Sequence, residues 1–447
     1  MIYANQEAVV LGLGLSGEAA ATLLSEEGAR VTVCESADTP GLRHRARTLE
    51  ERGVRVLFGE AAETDVSAYD VAILSPGIDP SSPLVGNVTA KRVPVIGEIE
   101  LAFRECLCPV VAITGTNGKT TTTGLTAAML DGAGIRTVAC GNIGLPFSSA
   151  VRQSGELDVM VIEVSSFQLE AIRSFRPHVA AWLNFSPNHL DRYPDVEAYR
   201  AAKLRIFENQ GSSDIAVVNA CDDLPRPRAR VTTFSAVRDD ADFTLRGGEI
   251  LHLGSSVLDQ SKTLMPGIHN AENLMAALAI GHALGADFPS LAAAAMHYHP
   301  PAHRCEFVLE RDGVRWVNDS KSTNLDALEK ALLAQNRRVV LIAGGKDKGF
   351  GFGPVADLVR TRVRTAVLIG QLRERIASEW QATDCRTTDS LEEAVRTAAA
   401  VARPGETVLF SPGTSSFDMF RDYIERGERF KAAVHNLPPS TPNQEEP

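Results

Sequence analysis

A chain of 447 residues has room for about three domains of ordinary size. With 44% hydrophobic and 23% charged residues it has the makings of a globular protein with several buried cores. Its formal net charge of −11 counts against a general nucleic-acid binder, which needs a basic surface, but leaves room for small anionic substrates held in local pockets.

The opening MIYANQEAVV has no basic leader region and soon becomes a strand, so no secretory signal is expected. The first unit reads as strands AVVLGLG, RVTVCES, VRVLFGE and DVAILSPGI with helix-like stretches between them. Gly12, Gly14 and Gly17 satisfy G-x-G-x-x-G directly after the first strand, and Glu35 closes the second, where a ribose-binding acid sits in dinucleotide folds. Such glycines let backbone amides approach a diphosphate at a helix N-terminus. An NAD- or FAD-linked oxidoreductase, a holder of some other diphosphate, and a tight turn without a ligand all satisfy this pattern.

The second unit begins at CPVVAITGTNGKT and continues through TVACGNIG, DVMVIEVSS, HVAAWLNFS and DIAVVNA. Ile113 breaks the usual G-x-x-x-x-G-K-[ST] spacing, leaving a tighter loop of Gly115, Thr116, Asn117, Gly118, Lys119, Thr120 and Thr121. Its amides can cradle phosphates, Lys119 can neutralise β/γ oxygens, and Thr120 can offer a hydroxyl to Mg²⁺. Glu163 ends one apolar strand, and another leads into His189 and Asp191, as expected of a crevice at strand carboxyl ends. In DVEAYRAAKLRIFEN, Val196, Tyr199, Lys203 and Ile206 share one helical face, which puts Lys203 on an apolar stripe. Either its stem packs while the ammonium reaches water, or it is desolvated and reactive.

PRPRAR, residues 225–230, reads as a solvated surface excursion, and Pro300-Pro301 as a linker. A third unit follows, with RWVNDSKSTN, RVVLIAGGKDKG, TAVLIG and ETVLFSPGTSS as strand-to-loop candidates. Together these describe a three-domain α/β protein with mainly parallel sheets: residues 1–98, 99–301 and 302–447, with a disordered tail from about 437. The seven cysteines are scattered with no C-x-x-C pair, which indicates neither a disulfide framework nor a zinc site. No apolar run approaches the ~20 residues of a membrane span, so a cytoplasmic protein without membrane partners is expected.

GTNGKTT, EVSSFQLE, NHLDRY, AYRAAKLRIFE, GIHNAENLMAA, AHRCEF, NDSKSTN and GGKDKG, in that order, resemble the Mur ligases along nearly the whole chain. LGLGLSGEA, SPGI, VIGEIELA and SPGTSSFDMF resemble the branch of that family that adds D-glutamate. The resemblance implies a Rossmann-like N-terminal domain, a P-loop ATPase-like central domain and a Rossmann-like C-terminal domain. It implies UDP-N-acetylmuramoyl-L-alanine, D-glutamate and ATP as substrates, two Mg²⁺ ions, an N-carboxylated Lys203, and a monomer. Leu15, Ser16, Ser36, Ser75, Gly77 and Asn142 would hold the UDP substrate, although Ala37 stands where relatives often carry arginine. Lys119, Thr120 and Thr121 would bind ATP phosphates, Asn270 and Asn273 adenine, with Arg304 and Asp319 as further ATP contacts. Thr120, Glu163, His189 and Lys203 would serve the metals. His189, Lys321, Thr323, Lys348, Ser416, Phe417 and Tyr423 would form the D-glutamate pocket, although Lys348 taken by itself reads first as a loop charge in GGKDKG.

Overall fold

The computed structural model describes residues 2–189, 192–300, 302–349 and 351–438. Asp191, Pro301 and the tail from 439 lie outside the described residues. Among those described, three sheets form, of five, nine and six strands.

The first sheet contains β1 (Glu7–Leu11), β2 (Arg30–Glu35), β3 (Arg55–Phe58), β4 (Val71–Leu74) and β5 (Val95–Gly97), in the order β3-β2-β1-β4-β5 and all parallel. The strand order reverses between β1 and β4, and the glycine turn lies at the carboxyl end of β1, where open α/β sheets place their ligands.

The central sheet begins with β6 (Val110–Thr114), β7 (Thr137–Gly141), β8 (Val159–Glu163), β9 (Val179–Trp182) and β10 (Ile215–Asn219). The segments VVAIT and VMVIE are buried at every position, as expected of central parallel strands covered on both faces. Four further strands were not anticipated: β11 (Arg230–Ser235), β12 (Phe243–Arg246), β13 (Glu249–His252) and β14 (Ser255–Asp259). They extend the sheet to the order β14-β13-β12-β11-β10-β9-β6-β8-β7, with β12 to β14 antiparallel. Their turns use Gly247-Gly248 and Leu253-Gly254, all with positive φ, which suits tight hairpins. These strands are short and half-exposed, so they lack the long apolar runs of the parallel core.

Two compact units emerge: Met1–Phe185, Asp195–Thr263 and Ala271–Tyr298 in one; Ser186–Pro194, Leu264–Asn270 and His299–Pro447 in the other. Within the first, one apolar core is continuous from Val10 and Ile73 of the N-terminal sheet to Ala112, Met160 and Ile162 of the central sheet. The helix Glu98–Glu105 joins them. Glu98 accepts from the Ser148 amide at 2.6 Å, and burial pushes its carboxyl up. Glu100 accepts from the amides of Arg173, Ser174 and Phe175 and from the Ser174 hydroxyl. Burial works to raise the Glu100 pKa, but these bonds outweigh it and hold the carboxyl below its usual range.

The second unit contains β15 (Glu306–Arg311), β16 (Val314–Asn318), β17 (Val339–Gly344), β18 (Val363–Ile369), β19 (Asp384–Thr387) and β20 (Thr407–Phe410). The order is β15-β16-β20-β17-β18-β19, with only β15 antiparallel. Val339, Leu341 and Ala343 face one core layer and Val340 and Ile342 the other, following the alternation of a strand covered on both sides. Leu437 packs on the second layer, so order extends at least that far. Among the described residues no helix is long and apolar enough to cross a membrane.

At the first glycine turn, a Cβ on Gly17 would collide with the Gly12 carbonyl oxygen and approach Ser75 Oγ to 2.8 Å. Gly17→Ala is therefore expected to lower stability by about 1–3 kcal/mol, read as a lower urea midpoint.

Candidate active site

β6 delivers its chain into the second glycine loop. Gly118 has φ +82° and caps the helix Lys119–Gly132, and a Cβ there would come within 2.5 Å of Asn273 Oδ1. Only glycine meets both the left-handed backbone and the close approach. Asn184 braces the loop: its Oδ1 accepts from the Asn117 amide at 2.9 Å, its Nδ2 donates to the Asn117 carbonyl at 3.1 Å, and its own carbonyl accepts from the Thr116 amide. Thr122 Oγ1 donates to Asn273 Oδ1 at 3.0 Å. Asn273 is thus built into the loop's support, a task its expected adenine contact did not suggest. Lys119 folds back so that Nζ donates to the carbonyls of Gly115 and Thr116, each at 2.9 Å. Thr120 is half-buried and Thr121 buried.

β8 lies beside β6, with Glu163 in register with Ile113 one residue before the loop strand ends. Glu163 is buried; its Oε1 accepts from Asn142 Nδ2 at 2.9 Å, while Oε2 has no hydrogen bond among the described residues. Asn142, expected at a substrate diphosphate, is seated against this carboxylate.

Lys203 lies on the helix Val196–Leu204 with Tyr199 and is 1% exposed, which rules out the snorkelling reading. Its Nζ donates to the Gly115 carbonyl at 2.9 Å and lies 4.8 Å from the centre of the Tyr199 ring. Burial, then the Lys119 charge, drive its proton affinity well down, opposed by Glu163. One loop carbonyl therefore receives both lysines, and the helix face read from sequence delivers Lys203 to the phosphate loop.

In the first sheet, Glu35 is occupied by the turn itself: Oε2 accepts from the Leu13 amide at 2.8 Å and Oε1 from the Ala37 amide at 3.0 Å. Ser75 is buried and its Oγ donates to the Gly12 carbonyl at 3.2 Å. Leu15, Ser36 and Gly77 are exposed and Ser16 half-buried around this turn.

The second unit holds the remaining expected residues. His189, at φ +57°, falls in Ser186–Pro194, and Asn270, whose Nδ2 donates to the Pro266 carbonyl, in Leu264–Asn270. Lys348 Nζ donates to the Thr323 carbonyl at 3.2 Å, and Lys321 Nζ sits 3.7 Å from the centre of the Tyr423 ring. Ser416 is buried and Phe417 exposed on the turn after β20. Asp319 accepts from the Cys305 amide at 3.1 Å and Ser411 Oγ at 2.8 Å, beside the half-buried Arg304.

Burial raises the Asp319 carboxyl from 3.8 to about 6 despite these bonds and the Arg304 charge. Between those values the folded chain keeps a proton that the unfolded chain has lost, so this group makes stability fall as pH rises through the window. Asp319→Asn should flatten that fall, and urea midpoints from about pH 4 to about pH 7 measure it.

Three domain families match the chain in turn: a Mur ligase MurD-like N-terminal domain over residues 6–97, a Mur ligase middle domain over 113–281, and a Mur ligase glutamate ligase domain over 303–413. The UDP-N-acetylmuramoylalanine--D-glutamate ligase of Geobacter metallireducens is 45% identical, covering 98% of this chain and 99% of that protein.

The chain belongs to the Mur ligase family.

The ligase of the same name from Trichlorobacter lovleyi is 42% identical over 97% of this Mur ligase and 99% of its own length. A UDP-N-acetylmuramate-alanine ligase from Thermotoga maritima superposes with a TM-score of 0.59 at 19% identity, covering 96% of this chain and 99% of that one. A MurF ligase from Thermotoga maritima in complex with ADP gives 0.58 at 17%, with 97% and 96% covered. At such identities these structures establish the shared three-domain fold alone.

Mur ligases use ATP with Mg²⁺. The residues present suit that ion. The free Glu163 Oε2 is a buried hard oxygen on the strand adjacent to the phosphate loop, and Thr120 opens the loop helix with a hydroxyl. Among the described residues no cluster of three or more His, Cys, Asp or Glu side chains is poised for a metal.

Proposed function

We propose that this Mur ligase joins D-glutamate to UDP-N-acetylmuramoyl-L-alanine while converting ATP to ADP and phosphate, a step of peptidoglycan precursor synthesis. The observation that carries the reaction is the placement of Glu163 beside the Gly115–Thr121 loop, with Lys203 buried beneath it. Full-length identity to D-glutamate ligases carries the substrate.

On this reading residues 1–98 hold the UDP substrate, 99–301 handle ATP, and 302–447 supply the amino-acid pocket. The L-alanyl carboxylate attacks the γ-phosphorus and ADP leaves, giving an acyl phosphate. Lys119 swings from its two carbonyls to the phosphate oxygens, and loop amides meet the growing charge. The D-glutamate amine then attacks the acyl carbon, loses a proton, and phosphate departs. Thr120 and Glu163 would hold Mg²⁺, which would neutralise phosphate charge. Asn142 fixes the Glu163 carboxylate by donating to Oε1, which would leave Oε2 available to the ion.

Lys203 has a further part. Its depressed proton affinity keeps a neutral amine available to add CO₂, forming a carbamate and releasing a proton. The carbamate would offer additional oxygen ligands for a second Mg²⁺.

Phosphate release from ATP with UDP-N-acetylmuramoyl-L-alanine tests the proposal, with D-glutamate, L-glutamate, L-alanine or meso-diaminopimelate as acceptor. Release requiring D-glutamate, with a product heavier by one glutamyl residue, is expected. Release with another acceptor only would keep the ATPase chemistry and overturn the substrate.

A further inference from the structure

One fully buried cation in the second unit has no task in the reaction above. Arg426, on the helix Tyr423–His435, is 0% exposed. Its Nε donates to Ser320 Oγ at 3.1 Å, Nη2 to the Ser320 carbonyl at 2.7 Å, and Nη1 to the Thr414 carbonyl at 3.0 Å. Ser320 follows β16 and leads into Lys321 and Thr323. Thr414 follows β20 and leads into Ser416 and Phe417.

A third strand end closes on the same guanidinium. A Cβ on Gly345, just after β17, would lie 3.5 Å from Arg426 Nη1 and collide with the Ser415 carbonyl. The Lys346 amide donates to that Ser415 carbonyl at 3.0 Å, and Thr414 Oγ1 donates to the Lys346 carbonyl at 2.6 Å. The backbones leading to Lys321, Lys348 and Ser416 are thus gathered around one side chain, at the carboxyl ends of adjacent parallel strands.

All three acceptors are neutral. Among the described residues no carboxylate lies in ion-pair range of Arg426; Asp418 and Asp319 act on it from farther away. Both have other partners: Asp418 accepts from the Gln371 amide, Asp319 from Ser411 and Cys305. Burial lowers the Arg426 pKa to about 9, which still leaves it charged at neutral pH. Buried charges are ordinarily paired, because losing water is costly. A positive charge left without a bonded counter-ion beneath an amino-acid pocket suits a ligand that brings negative charge.

Resting on the D-glutamate reading, we infer that Arg426 is a positioning and specificity residue: its fork fixes the two loops that hold the acceptor, and its charge favours an acceptor bearing two carboxylates over one bearing a single carboxylate. It does not touch the acceptor, since it is 0% exposed and its three bonds run to the loops.

The test compares wild type with Arg426→Met and Arg426→Lys, measuring kcat and KM for D-glutamate, D-glutamine and ATP. For Arg426→Met, the D-glutamate KM should rise about tenfold or more and the preference over D-glutamine should shrink, with the ATP KM within about twofold. Arg426→Lys keeps the charge and loses the fork, so it should retain the preference for the dicarboxylate while kcat falls. A folded methionine variant with unchanged D-glutamate KM and preference would overturn the proposal. So would failure of both variants to fold, which would assign the arginine to stability alone. Wild-type protein that takes no D-glutamate would remove the substrate reading and this inference with it, whereas an active wild type with indifferent variants would remove only the inference.

Discussion

Lys203→Ala is expected to abolish ligation, with a loss on the order of 10²–10³ or more in turnover. The amine is buried against the Gly115 carbonyl, which it shares with Lys119 of the loop itself. Small carboxylates added to the variant should restore part of the activity, since they can place oxygens where the carbamate would stand. Retained full activity would reject any role for the amine. Inactivity without rescue would leave Lys203 as a brace for the loop and remove the carbamate from the mechanism.

Lys119→Ala should be comparably severe, eliminating substrate-dependent ATP turnover with a loss on the order of 10²–10³ or more. Its effect on folding should be small. The side chain is half-buried, and its two bonds to Gly115 and Thr116 duplicate what water can provide. Turnover measured alongside a urea melt separates the two effects. An active variant would mean that the Gly115–Thr121 loop does not grip reacting phosphates.

The central parallel strands were legible because their apolar runs are uninterrupted, and the lysine on the helix Val196–Leu204 because a single polar residue broke an apolar face. The glycine loops announced themselves by spacing. Other features were silent for identifiable reasons. The hairpin strands from Phe243 to Asp259 are short and half-exposed, so they offer no long apolar run to read. Asn184 works through its amide on a segment distant in sequence, so spacing alone gave no sign of the contact. Glu35 matched a ribose-binding acid yet is spent on the Leu13 and Ala37 amides, a use that no one-dimensional pattern distinguishes. Arg426 lies among charged neighbours in YIERGERFK, and only the packing of its helix tells a buried arginine from a solvated one.

The continuous core beneath the first two sheets limits how this protein can be divided. A fragment ending at residue 98 would cut the helix Glu98–Glu105 at its first residue and would remove Ala112, Met160 and Ile162, with which Val10, Ile73 and Ile96 share one core. Such a truncation should aggregate or remain molten rather than persist as a small nucleotide-sugar binder. Chimeras that exchange this half between relatives would need both faces of the seam carried over together. Met1–Phe185, Asp195–Thr263 and Ala271–Tyr298 are then a single inheritable block, and the two glycine loops travel together within it.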